Sequence, residues 1–455
     1  MTKKLPILIV LYFCLIGTLM AQETDTLKSE NSKKTFSFVP FPAVSFDSDL
    51  GFQYGVIGSF NYYGDRSVFP DYKWSLYAEW SKYTKGSGTN QLFFDSKYLL
   101  PYGIRVTADL SLLTEQALNF YGFNGYEAAY IPDFEDDADT SNSDGNSLDY
   151  ISRMYYRHDR QLLRMTFDFQ GNLSGKKLKW LAGFGRYNYE IGSVNISKLN
   201  KGLDDDKKLP DVPSLYDKYV AYGFIPEKEA DGGALNTLKL GVVYDTRDNE
   251  QNTHKGLWLA AIAMTAPRFM GNSESAFTKL SLTWRHYIPL VPKKLTFAYR
   301  VGWQGTIDGK APFYMQPFMI ESYTKSTKND VLGGGKSLRG VLRNRAVGDA
   351  FAYTNLELRY ELMHFAISNL DLYLTLSGFT DMGLVTKPIE ISKDLPEGVD
   401  RSQFFDEEND NLHKAYGAGL HIDLEHNLMI AVDYGMAGDK RDGKSGLYIS
   451  IGFLF

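Results

Sequence analysis

The chain has 455 residues, a net charge of −6, one cysteine, 15% aromatic residues and 41 glycines. A mildly acidic balance with no basic stripe excludes nucleic acid as a partner on electrostatic grounds, and one cysteine excludes a disulfide framework or a thiolate metal centre. Exported, aromatic- and glycine-rich chains without apolar helices fall into two classes: soluble β-rich secreted proteins and outer-membrane β-barrels.

The N-terminus reads MTKK, then LPILIVLYFCLIGTLM, then AQ. A basic start, an apolar run and a small residue before a polar stretch describe a secretory signal peptide over residues 1–21. The run is shorter than the roughly 20 apolar residues of a comfortable membrane span. Cys14 lies inside it, behind the bulky Phe13, which argues against a lipoprotein signal. Residues 22–34 then form a short periplasmic segment with no room for a folded domain, and residues 35–455 read as one barrel.

From there the chain alternates apolar and polar residues with the period of two that marks strands. Sixteen such runs occur, near 35–47, 51–64, 72–83, 90–100, 104–121, 153–172, 177–193, 235–247, 256–270, 276–290, 294–307, 351–364, 370–385, 413–426, 428–438 and 446–455. The first, KTFSFVPFPAVSF, contains Pro40 and Pro42, which lack the amide donor and weaken any ladder. In the twelfth, Tyr353, Asn355, Glu357, Arg359 and Glu361 share one face, opposite Thr354, Leu356, Leu358 and Tyr360. In the thirteenth, counting by twos places Asp371 and Asp381 together. The last, GLYISIGFLF, sets Leu447, Ile449, Ile451, Phe453 and Phe455 on one face. A soluble sandwich uses strands of about five or six residues. Runs of ten or more, with charges on the less apolar face, fit a tilted span of a bilayer.

The connections give an independent check. Every second one is short: GDRSVFPD, PYG, SGKK, DTRDNEQNTHKG, VPKK, AISN and a tight turn at Glu425–Asn427. The long ones, 122–152, 194–234, 308–350 and 386–412, all fall at the other end. An even strand count with long loops at one end is the organisation of a bacterial outer-membrane barrel. The expected fold is therefore an all-β, 16-stranded antiparallel transmembrane β-barrel.

The loop between strands eleven and twelve contains GGGKSLRGVLRNRAVGD, with five glycines and four basic residues. Glycines permit backbone positions that other residues tolerate poorly. With Glu357 and Asp381 facing the lumen by parity, a loop folded inward brings Arg339 to them. A planar guanidinium holds two carboxylates with defined geometry.

These pieces resemble the barrel of BamA/TamA-type outer-membrane proteins, the bacterial surface antigen superfamily of assembly factors and two-partner secretion translocators. In that family the loop between strands eleven and twelve carries a V-R-G-F/Y motif, here Leu338-Arg339-Gly340-Val341, and folds into the lumen. The strand-twelve motif corresponds to NLELRYEL with Glu357, and the strand-thirteen F-x-D-x-G motif to Phe379-Thr380-Asp381-Met382-Gly383. The family's turn between strands eight and nine appears as YDTRDNEQNTHKG, with Asp245, Arg247, Asp248 and Gly256. Its aromatic final-strand signal matches GFLF, with Phe453 and Phe455. The resemblance covers residues 235–455. It implies a lumenal loop lock of Arg339, Gly340, Glu357 and Asp381, no cofactor, no metal and no enzymatic activity. It also implies outer-membrane lipid and lipopolysaccharide as surroundings and the barrel-assembly machinery for the protein's own insertion. Client proteins, or a separate periplasmic partner, follow from the same likeness. Val341 departs from the motif's aromatic, and the POTRA domains that receive clients in the family have no counterpart before strand one.

Other candidates carry less chemistry. The acidic stretch Pro132–Asp149 lacks calcium-loop spacing, since Thr140 stands where the first Asp belongs. His158 and Asp159 recur in outer-membrane hydrolases but have no placed nucleophile, and His254 and His286 have still less around them. Assistance with insertion or translocation of proteins or lipids is the expected function. The alternative is a passive or loop-gated pore, its lumen lined by Arg285, Arg300, Glu357, Arg359, Asp423 and Asp433.

Overall fold

The computed structural model describes residues 35–455 apart from 66, 69–71, 136–149, 251, 323–329, 368–369 and 425–427. The signal segment, residues 22–34, most of the acidic stretch, half of the AISN turn and the tight turn after Leu424 lie outside the described residues. Sixteen antiparallel strands close into a barrel in chain order. They are β1 (Phe36–Asp47), β2 (Gly51–Tyr62), β3 (Trp74–Tyr83), β4 (Gly88–Ser96), β5 (Arg105–Asn119), β6 (Arg157–Ser174), β7 (Leu178–Gly192) and β8 (Gly232–Asp245). The second half comprises β9 (Gly256–Ala266), β10 (Phe277–Val291), β11 (Leu295–Gly309), β12 (Ala350–Ile367), β13 (Leu370–Lys387), β14 (His413–Leu424), β15 (Leu428–Ala437) and β16 (Ser445–Ile451).

Each expected run contains a strand, and the ends that differ have local causes. β9 stops before Pro267, which has no N–H to give the ladder, and the chain turns through Arg268–Met270. β16 stops at Ile451, four residues short of the expected end at 455. Gly452 adopts φ +81, a left-handed value that breaks the ladder, and the last residues leave the wall. A strict alternation cannot reveal such a break, because period two continues in sequence after the backbone has turned.

The wall is inside out relative to a soluble protein. Along β5, Asp109 and Ser111 are 3% and 0% exposed while Leu110 and Leu112 are 42% and 40% exposed. The same holds for Leu240, Trp284, Val301 and Leu358, all facing outward. Apolar side chains are outside and polar ones inside because the outer solvent is lipid. Among the described residues, no helix is long and apolar enough to cross a membrane.

Closure is uneven. β1 pairs with β2 along all twelve of its residues, but with β16 only at Phe46↔Ile449 and Asp47↔Tyr448. Ser48 adds a reciprocal clasp just beyond, donating from its amide to the Leu447 carbonyl at 3.1 Å and accepting the Leu447 amide on Oγ at 2.7 Å. Pro40 and Pro42 lie in the part of β1 that has no β16 partner.

At the long-loop end an aromatic cap covers the lumen. Phe120, Phe123 and Tyr219 meet edge to face, and Phe404 and Phe405 of the β13–β14 loop join them. The short helix Leu215–Ala221 is fixed by a capping box at Ser214, and it seats Tyr216 and Tyr219 in this cluster. Arg345 ties three loops together by donating to the carbonyls of Gly125, Ala128 and Arg441.

We predict that Leu240→Arg costs about 2–4 kcal/mol of folding stability in lipid vesicles, as expected at a lipid-facing midplane position. Urea titration of the refolded protein measures this. A cost below about 0.5 kcal/mol, typical of a water-exposed surface site, would contradict the outward lipid face.

Candidate functional site

The β11–β12 connection, residues 310–349, does not extend outward. Of its described residues, 310–322 and 330–349, the second part lies in the lumen, where Leu338, Arg339 and Val341 are at most 1% exposed. Its tip is built on glycine. Gly333, Gly334 and Gly340 have φ of +112, +78 and +102, and a Cβ at Gly340 would stand 2.6 Å from the carbonyl carbon of Gly435 in β15. Only glycine allows both the left-handed turn and that approach to the wall. Inside the tip, Ser337 Oγ accepts the Gly333 amide and donates to the Val331 carbonyl, while Gly334 donates to the Val341 carbonyl at 2.9 Å.

The tip delivers Arg339 to three carboxylates. Its Nε and Nη2 donate to Asp381 Oδ2 and Oδ1 at 2.9 and 3.0 Å, a two-pronged clamp. Its backbone amide also donates to Asp381 Oδ2 at 3.0 Å. Nη1 stands 2.7 Å from Glu357 Oε1 on β12 and 3.3 Å from Asp433 Oδ2 on β15. The guanidinium carbon lies 3.5 Å from the centre of the Phe379 ring. That ring comes from the strand-thirteen motif itself, two residues before Asp381, so the aromatic partner of the cation is supplied by the wall. Val341, where an aromatic was expected, is simply packed in the apolar cluster.

Several partners around this cation were not legible beforehand. Asn355 donates to both Asp381 Oδ1 and the Ser337 carbonyl, at 2.8 and 2.6 Å, fixing acid and loop together. His421 of β14 contacts Asp433 at 2.9 Å. The Tyr448 hydroxyl of β16 accepts the Gly340 amide at 3.2 Å. A second lock lies higher: Arg343 clamps Asp330 at 2.8 and 2.9 Å and reaches Glu115 of β5 at 2.6 Å. Glu115 also holds Arg160 of β6. Nothing in the sequence joins Glu115 to a loop more than two hundred residues away.

Glu357 has a second cation. Arg359 donates from Nε to Glu357 Oε2 at 2.8 Å, and its own guanidinium lies 3.7 Å from the Phe453 ring centre and 5.1 Å from that of Phe455. Arg359 also donates to the Phe455 carbonyl at 3.1 Å. Phe455 lies 5.4 Å from the Arg300 guanidinium, and Phe453 packs edge-on against His421. Phe453 and Phe455, which alternation sets on one face with Leu447, Ile449 and Ile451, thus lie on arginines inside the lumen. Beyond the Gly452 turn, a cation's ring contact and a backbone hydrogen bond replace the lost ladder.

The turn residues form a separate group. Asp245 and Arg247 pair at 2.9 Å at the end of β8, and Asp248 and Gly256 shape the turn that follows. His158 is buried, stacked on Tyr216 and edge-on to Phe120, with no nucleophile placed beside it among the described residues. Among those residues, no group of three or more His, Cys, Asp or Glu side chains could hold a metal ion.

The Omp85 superfamily domain matches residues 80–455. Among solved structures, the fold is similar to BamA from Haemophilus ducreyi lacking POTRA domains 1-3, with a TM-score of 0.52 and 13% identity, over 92% of this chain and 71% of that one. It also aligns with CdiB from Escherichia coli at a TM-score of 0.47 and 11% identity, over 92% of this chain and 63% of that one. At that identity the likeness to BamA bears on the fold alone, and this chain spans less than two thirds of the CdiB chain. A search of curated proteins finds no match.

Stranding one partner of a buried ion pair costs about 3–5 kcal/mol, so Arg339→Ala and Asp381→Ala should each lower stability by that order. Because they remove the same interaction, the double variant should cost less than the sum, with a coupling energy of about 0.5–3 kcal/mol. Urea titration of the four proteins in detergent checks this. Additive costs would mean that Arg339 and Asp381 do not act as a pair.

Proposed function

The chain belongs to the Omp85 superfamily, and from that membership we propose that it works in the outer membrane of a Gram-negative bacterium, helping proteins or lipids to enter or cross that membrane. In this reading residues 1–21 are an export signal that is removed, and residues 22–34 are a short segment on the periplasmic side. The short-turn end of the barrel then faces the periplasm and the capped end faces outward. Outer-membrane lipid and lipopolysaccharide surround the wall, and the barrel-assembly machinery inserts it.

The observation that carries the proposal is the seam. Hydrocarbon offers no hydrogen bonds, so an unpaired strand edge within a bilayer costs several kcal/mol per group. Between Phe36 and Ser45, β1 shows no partner in β16, and two prolines there remove donors that would otherwise need one. Such an edge is fitted to accept a strand from another chain by main-chain pairing, with alternate side chains setting preference. A client strand entering between β1 and β16 would satisfy the edge and be released sideways into lipid.

A loop-gated pore is the second reading, and the Arg339 clamp on a lumenal loop is the observation that favours it. The aromatic cap is packed on that same loop, through Arg345 on the Gly125 and Ala128 carbonyls and Phe313 against Tyr216, so loop and cap form one upper closure.

Two measurements test the proposal. Depleting the protein in its host and quantifying the outer-membrane proteome and lipids should show selective loss of clients. Complementation with a Phe46→Cys/Ile449→Cys variant, which bridges the paired end of the seam, should fail while the disulfide is formed and succeed once it is reduced. An unchanged outer membrane on depletion, or full complementation by the oxidised variant, would reject lateral handling of clients.

A further inference from the structure

The turn between β8 and β9 is more elaborate than joining two strands requires. Asp248 Oδ1 accepts the backbone amides of Asn249, His254 and Lys255 at 3.0, 3.1 and 3.2 Å. Arg247 is clamped on Asp245 and donates to the Glu250 carbonyl at 3.3 Å. Asn249 Oδ1 accepts the Asn252 amide at 3.0 Å, and Thr253 Oγ donates back to the Asn249 carbonyl at 2.6 Å. Gly256 closes the turn at φ +117, where a Cβ would stand 2.3 Å from the Thr246 carbonyl oxygen. These bonds brace the turn on both sides of residue 251, which lies outside the described residues, into a prong.

The prong does not point away from the barrel. Asn252 and Thr253, at its tip, are 7% and 4% exposed. Asn252 Nδ2 donates to Asp423 Oδ2 at 2.6 Å, and Asp423 is on β14, five places round the ring from β9. His254 contacts Thr296 of β11 at 3.3 Å. The tip shares a small cavity with Arg359, Thr375 and Phe453. At the short-turn end, then, the prong from one side and the inward-folded residues 453–455 from the other lie across the lumen.

We propose that the β8–β9 turn is an inner plug, a second closure of the lumen below the loop held by Arg339. The Asp245–Arg247–Asp248–Gly256 motif is a scaffold that aims Asn252 at Asp423. The chemistry at the tip suits a releasable contact: a neutral amide on the Asp423 carboxylate and His254 against Thr296, with the bracing bonds kept within the turn itself. The inference rests on the barrel standing in a membrane, and it does not depend on whether clients pass through the seam.

Two closures in series predict a particular pattern. Resistances add, so opening either closure alone leaves current limited by the other. In planar bilayers, the full chain with Arg339→Ala should conduct little more than the parent. Adding Asn252→Asp sets two carboxylates against each other at the tip, and conductance should rise several-fold over Arg339→Ala alone. Adding Asp423→Asn to that protein restores an amide–carboxylate pair with the roles exchanged, and conductance should fall back. Heat-modified mobility on gels verifies that each variant is folded. Where Asn252→Asp does not fold, an Asn252→Cys/Asp423→Cys pair in the Arg339→Ala background gives the same test, closed when oxidised and open when reduced. Equal conductance with and without the Asn252 change, or no return on exchange, would overturn the inner plug. Loss of client handling with these conductances intact would bear on the proposed function instead.

Discussion

Every part of this structure answers to one constraint: a backbone amide or carbonyl facing hydrocarbon must have a partner. A sheet meets it only by closing on itself, and closing fixes which side chains face in. Once the wall alternates as Asp109, Leu110, Ser111 and Leu112 do, the lumen inherits the polar half of every strand. Charges gathered there are far from bulk water and must be paired with each other. The Arg339 clamp is a consequence of that crowding, and the loop that carries it is held in place because the wall needs its cation.

The paired charges also form a continuous path. Arg339 touches Glu357, Glu357 binds Arg359, and Arg359 holds Phe453 and Phe455. Those rings terminate the segment that leaves β16 at Gly452. The loop in the lumen and the weak seam are therefore joined through one carboxylate with two cations. Spatial contiguity alone is not coupling, yet here each link is an ionic or cation–ring contact made by a buried charge, where losing one partner leaves the next uncompensated.

How much of this the sequence disclosed follows from how local each feature is. Strands were legible because period two repeats within a few residues, and the segregation of long connections to one end followed from strand parity. Glu357 and Asp381 were legible for the same reason: parity alone turns them inward, and the glycines beside Arg339 mark a loop able to follow. Asp433 was legible as lumenal and Asn355 as inward-facing, but their contacts, with those of His421 and the Arg343–Glu115 pair, were hidden because they depend on strand register and on closure round the ring. Phe453 and Phe455 misled for a subtler reason. Their alternation is intact, and the one signal of departure is Gly452, a residue that also occurs harmlessly inside many strands here, as Gly241 and Gly378 show. The prong was legible as a turn motif, but its target on β14 was not.

The distribution of bonding argues where such a barrel can give way. Across the lumen, the loop tip is held by a two-pronged carboxylate clamp, an amide bridge from Asn355 and a second arginine lock at Arg343, beneath an aromatic cap. Round the wall, β1 matches β2 over its whole length but meets β16 at two positions and one serine clasp. Opening along the barrel axis means stranding buried charges in series, each costing several kcal/mol. Opening sideways means giving up a few hydrogen bonds of about 1 kcal/mol each in net terms, with further cost only if lipid replaces them. If another strand replaces them, that cost disappears. The same constraint that forces the barrel shut thus makes its one poorly paired edge the place where a foreign strand is best received.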